Sequence, residues 1–136
     1  MTAKPVFVID GRNFSTLEEF YDEISRVVIP GVPWGRNLDA FNDILRGGFG
    51  TPEVGFVLRW LNSQVSRKRL SYKETVRQLE ERLAHCHPSN RDLVAAEIAE
   101  AKQGFGRTVF DWLVEIIEAH GTGGDKAEDG VELILA

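Results

Sequence analysis

The sequence predicts a small α/β fold, with three parallel strands packed against helices and a helical hairpin inserted between the second and third strands. Three observations predict it. Apolar runs stand near the start, the middle and the end of the chain, at residues 6–9, 55–60 and 131–135. Segments with helical periodicity separate them, and crossover helices join parallel rather than antiparallel neighbours. Residues 71–106 carry helical patterning alone and add no strand.

Each element follows from local chemistry. VFVI at residues 6–9 is β-branched and closed by the turn pair Asp10-Gly11, which gives a first strand. Ser15 and Glu18 have capping-box spacing and open a helix whose buried side is Leu17, Phe20, Tyr21, Ile24 and Val28. IPGVP at 29–33 stops it, since two prolines and a glycine cannot extend a helical ladder. A second helix is expected from Asn37 to Arg46, ended by Gly47-Gly48. GFVLRW at 55–60 gives the second strand, and residues 62–70 a short helix.

Ser71 and Glu74 repeat the capping-box spacing ahead of Val76, Leu79, Leu83 and Cys86 on one helical side. HPSN at 87–90 interrupts, and an alanine-rich helix runs from about Arg91 to Gln103 before Gly104. Residues 108–120 form a last helix with Val109, Trp112, Leu113, Ile116 and Ile117 inward. The segment 121–130, GTGGDKAEDG, is expected as a flexible loop before the closing strand.

Composition fits one domain spanning residues 1–136. At 136 residues, 43% hydrophobic and 27% charged, the chain buries a core without covalent staples. One cysteine, Cys86, excludes an internal disulfide and points to a reducing cytoplasm. The N-terminal apolar run is too short for a secretion leader, and no stretch reaches membrane-spanning length. Net charge is −5. Residues 66–107 hold nine basic against six acidic side chains, leaving seven basic and fifteen acidic in the rest. An acidic body suits a basic protein partner and argues against nucleic acid.

Catalytic signals are poor, and the chain is expected to be a binding protein without cofactor or metal. GTGG lacks the Gly-Lys-Ser/Thr continuation of a phosphate loop and precedes a strand instead of opening a helix. His85-Cys86-His87 places three ligand types in a row, but adjacent residues rarely converge on one ion, and helical neighbours point apart. SRKRL at 66–70 is basic without interleaved aromatics.

The stretch WGRNLDAFNDILRGG, residues 34–48, stands out. Leu38, Phe41, Ile44 and Leu45 make an apolar side, leaving Asp39, Asn42, Asp43 and Arg46 opposite. Two carboxylates four residues apart repel by about 0.2–0.5 kcal/mol. As a solvated face, the pairs Arg36–Asp39 and Asp43–Arg46 would offset this; as a binding face, the carboxylates await a cation. Trp34 lies in a loop between Pro33 and Gly35, either as an exposed anchor or folded back on the domain.

WGRNLDAFND resembles the signature of the barstar family of intracellular ribonuclease inhibitors, and VFVIDG, FVLRW and VELILA resemble that family's three strands. The resemblance covers residues 6–70 and 108–136 and omits 71–106. It implies that the second helix and its preceding loop enter a ribonuclease active site. Asp43 would then stand where an RNA phosphate binds, with Asp39 as a second charge and Trp34 covering the pocket. Gly35, Arg36, Asn37, Asn42 and Arg46 would line the contact, and Glu115 or Glu118 would supply a later acidic contact. Pro33, Arg36 and Asn42 depart from the family pattern, where a tyrosine, a glutamate and a tryptophan stand. The expected partner is a basic ribonuclease or similar nuclease toxin. The alternative is an assembly module using the hairpin at 71–106 without nuclease inhibition.

Overall fold

The computed structural model describes residues 4–47, 50–52 and 54–136. Gly48, part of the expected stop of the second helix, lies outside them. Strands β1 (Val6–Asp10), β2 (Val57–Leu61) and β3 (Glu132–Leu135) form one sheet in the order β1-β2-β3, with both pairings parallel. Helices α1 (Leu17–Val27), α2 (Leu38–Ile44), α3 (Ser63–Arg69), α4 (Tyr72–His85), α5 (Arg91–Lys102) and α6 (Val109–Ala119) make up the crossovers and the hairpin. The α/β class and three-stranded parallel sheet follow the sequence expectation.

Strand alternation sends Ile9, Leu58 and Trp60 into a core shared with Phe14, Phe20, Ile24, Phe41, Phe110, Leu113 and Ile117. Trp60 anchors it: its ring lies 5.2 Å from Phe110 and 5.5 Å from Phe20, and its Nε1–H donates to Ser66 Oγ at 2.9 Å. The other sheet face is open. Val8, Arg59 and Ile134 stand in register across the three strands, all exposed.

Two capping expectations fail. The cap of α1 is Thr16, whose side chain accepts from Glu19 N–H, while Glu19 accepts from Ser15 N–H and Oγ–H. The cap is therefore one residue later than Ser15, and Glu19 reaches back to Ser15 and not to the cap's own N–H, so no reciprocal box closes. Ser71 makes no side-chain cap for α4, and the Glu74 carboxylate goes to other partners instead of back to Ser71. The box that does form, Thr108 with Asp111 at α6, matches the same spacing rule with aspartate in the glutamate position.

α4 and α5 pack into a hairpin with a small core of its own, from Leu79, Val94, Ile98 and Ala101. Trp112 touches both cores. The base of the hairpin is bolted down by two hydrogen bonds accepted by neighbouring residues of α4. Glu74 accepts from Leu17 N–H at 2.8 Å, and Thr75 Oγ1 accepts from Val109 N–H at 2.9 Å. Each donor is the first residue of a helix, where no intrahelical acceptor exists.

The 121–130 loop is a folded connection. Lys126 N–H donates to Ala119 O at 2.8 Å, and a 3-10 turn occupies Ala127–Asp129. Gly124 is needed there, since a Cβ would sit 2.4 Å from Ala119 O and 2.5 Å from Glu118 O.

Candidate functional site

α2 is only seven residues long, and its neighbours define both ends. Asn37 caps the N-terminus, accepting from Ala40 N–H at 2.8 Å. Thr51 Oγ1 donates to Ile44 O at 2.8 Å and satisfies a carbonyl at the other end. Phe41 fastens the helix to α1 through an edge-on contact with Phe20, at 5.4 Å between centroids. Gly47 takes φ +86°, a glycine conformation that turns the chain away after the helix.

Asp39 and Asp43 both lie exposed on the outward side. Asp39 has no ion pair among the described residues, and Asp43 has only Arg46 at 4.0 Å. That second pairing follows the sequence expectation. The first does not: Arg36 pairs with Asp22 of α1 and not with Asp39, and also donates to Glu18 O at 3.4 Å. The reason lies in the backbone, because Arg36 adopts a left-handed φ of +53° that swings its side chain back over α1. Its positive charge is thereby matched away from α2, leaving the Asp39 carboxylate uncompensated.

Asn42 is the second correction. It is half-buried rather than part of the solvated face, with Oδ1 2.8 Å from His120 Nε2 and 3.3 Å from Lys126 Nζ. Sequence periodicity put Asn42 among the outward residues because nothing in the pattern marks His120, at the C-cap of α6, as a partner reaching it.

Of the two positions open to Trp34, the structure shows the folded-back one. Its indole N–H donates to Ser25 Oγ at 2.7 Å, and its ring meets Tyr21 edge-on at 5.4 Å. Burial pushes the Tyr21 phenol up, with the Glu18 carboxylate nearby adding to it. One part of Trp34 stays open to solvent beside Gly35. Glu115 forms an ion pair with Arg107, Oε1 lying 2.7 Å from Nε, on the exposed side of α6. It lines a cavity of about 520 Å³ with Glu118, Asp125 and Glu132.

A second groove, of about 490 Å³, joins α2 to the hairpin. Asn37, Leu38 and Asp39 form one wall and Gln78, Glu81, Arg82 and His85 the other, over a floor of Leu17, Tyr21 and Trp112. His85 lies 3.6 Å from Glu81, and His87 bonds Ser89. Among the described residues no three His, Cys, Asp or Glu side chains are placed to hold a metal ion. No helix among them is long and apolar enough to cross a membrane.

The three-stranded parallel α/β frame agrees with the comparison with known families. The family model described as Barstar (barnase inhibitor) matches residues 4–97. The chain belongs to the barstar family. The matched part runs from β1 through α4 and into α5, whereas the resemblance seen in the motifs omits 71–106 and resumes at residue 108. No curated protein matches the chain. The family's description gives its role as inhibition of barnase.

Proposed function

We propose that this protein blocks a nuclease active site by inserting α2 and the 34–37 loop, as a single domain of residues 1–136. One observation carries the reading. Asp39 and Asp43 stand exposed on a capped helix, and the nearest loop cation, Arg36, is committed to Asp22. Two exposed carboxylates on one helix face, matched only by the long Asp43–Arg46 pair, cost stability in isolation and gain from a cationic partner.

A ribonuclease site supplies that partner, since it needs Arg, Lys or His to stabilise a phosphoryl transition state. Asp43 takes the phosphate position through charge-assisted hydrogen bonds, and Asp39 adds a second carboxylate. The open part of Trp34 closes over the rim, with Gly35, Asn37 and Arg46 completing the contact and Glu115 reaching it from α6. Complementary fields raise the association rate, which suits an antitoxin acting in the cytoplasm against a lethal enzyme. The test is inhibition of purified barnase by the wild type beside Asp43→Ala. Equal inhibition by both proteins would refute the plug mechanism.

A second reading, assembly through the hairpin, is favoured by Leu93 and Phe105, apolar side chains 64% and 65% exposed there. Deleting 71–106 would also remove Glu74 and Thr75 from the ends of α1 and α6, so surface substitutions discriminate better. Loss of self-association or partner capture in Leu93→Asp/Phe105→Asp, with nuclease inhibition absent throughout, would select this reading.

A further inference from the structure

His120 is fully buried, and no part of the proposed inhibitory contact uses it. Its Nδ1 lies 2.6 Å from Asp129 Oδ2, and its Nε2 lies 2.8 Å from Asn42 Oδ1. The same Asn42 oxygen accepts from Lys126 Nζ at 3.3 Å. An ammonium only donates, so Lys126 requires Asn42 to turn its oxygen, and not its NH2, toward this point. The imidazole then donates through Nε2.

We propose that Asn42, His120 and Lys126 form a clamp that fixes the rotation of α2, making His120 and Lys126 positioning residues for the Asp43 face. A seven-residue helix does not hold its shape in water alone. Phe41 and Ile44 bury one side of α2, but apolar burial is non-directional and tolerates rotation about the helix axis. Asn42 lies about 100° around the helix from both Phe41 and Asp43. Two directional bonds to its side chain therefore lock the angle at which Asp43 faces outward.

The clamp's own frame is rigid. His120 is the C-cap of α6, its carbonyl accepts from Val131 N–H at 2.9 Å just before β3, and Lys126 N–H is tied to Ala119 O. The loop after α6 thus transmits the position of the core to α2. A contact built on charges needs placement to within about half an ångström, which this arrangement supplies.

The importance of the clamp for inhibition rests on the function proposed above, but its existence is tested without any nuclease. Amide hydrogen exchange by NMR is measured on the free full-length protein and on Asn42→Leu, Asn42→Asp and Lys126→Met. Asn42→Leu should accelerate exchange at Asp43, Ile44 and Leu45 by about ten-fold or more, leaving Leu58 and Trp60 of β2 unchanged. Asn42→Asp should restore protection, because a carboxylate accepts from both donors, a rescue that simple filling of space would not give. Unchanged exchange in α2 of Asn42→Leu, or an Asn42→Asp no better protected than Asn42→Leu, would overturn the clamp. If Asn42→Leu loosens β2 equally, Lys126→Met decides by the same local criterion. A nuclease that ignores Asp43 would remove the inhibitory reading and leave this result standing.

Discussion

The carboxylate of Glu74, in the first turn of α4, accepts a hydrogen bond from the backbone N–H of Leu17, the first residue of α1, 57 positions earlier. Arg77 and Gln78 also donate to it, and the group is nearly solvent-free at 5% exposure. One buried carboxylate therefore joins the hairpin to the body at the positive end of α1. Replacing it by alanine should lower stability by about 1–3 kcal/mol, mainly through the unpaired Leu17 N–H, since Arg77 keeps its pairing with Glu18. Urea unfolding measures this, and Glu74→Gln should recover part of the loss.

Asp43→Ala should behave in the opposite way. The side chain is half exposed and its one ion pair is long, so stability should change by less than about 0.5 kcal/mol. Affinity for barnase or a related nuclease should fall by about 2–5 kcal/mol. The wild-type association rate should drop steeply with salt, and that slope should flatten in the variant. Stopped-flow binding across ionic strengths checks both expectations.

Gly124→Ala should destabilise the protein by about 1–3 kcal/mol, because the new methyl group would press on the carbonyls of Glu118 and Ala119. A flexible loop would accept it at no cost. Thermal unfolding by circular dichroism distinguishes the outcomes.

Acid should weaken the fold through two carboxylates in particular. Hydrogen bonds from the Arg12 side chain and backbone hold Asp10 well below the usual carboxylate range, against some desolvation. For Glu23, burial pushes upward, but the Asp10 amide, Arg26 and Asn13 more than reverse it. Both are lowered in the folded state, so their contribution is complete above the ordinary value near 4 and is lost as pH falls through the folded values. The urea midpoint should be level from neutrality down to about pH 5 and then decline. Asp10→Asn should shrink that decline.

Much of the fold was legible because it rests on periodicity. The strands, the buried face of α1, Val109, Leu113 and Ile117 of α6 and the hairpin's apolar stripe follow from spacing alone. Spacing does not mark the buried Phe110 as inward, and Trp112 and Ile116 are only partly buried. What spacing could not reveal were polar side chains spent over long range. Ser71–Glu74 matches a local cap, yet Glu74 serves α1 instead. Arg36 matches an i,i+3 partner for Asp39, yet one left-handed residue redirects it to Asp22. Asn42 sits at an outward helical position, yet a histidine 78 residues away claims it. The GTGG segment was expected to be loose, because glycine signals freedom in sequence and close approach only in three dimensions. The acidic pair, by contrast, stood where its helix put it.

Parallel sheets are usually covered on both faces. Here Val8, Arg59 and Ile134 leave one face open, with a guanidinium at its centre flanked by aliphatic side chains. Two molecules stacking through this face would have to strip water from two arginines and press like charges together. The charge of Arg59, which forms no ion pair among the described residues, therefore opposes stacking of copies through this partly apolar sheet surface.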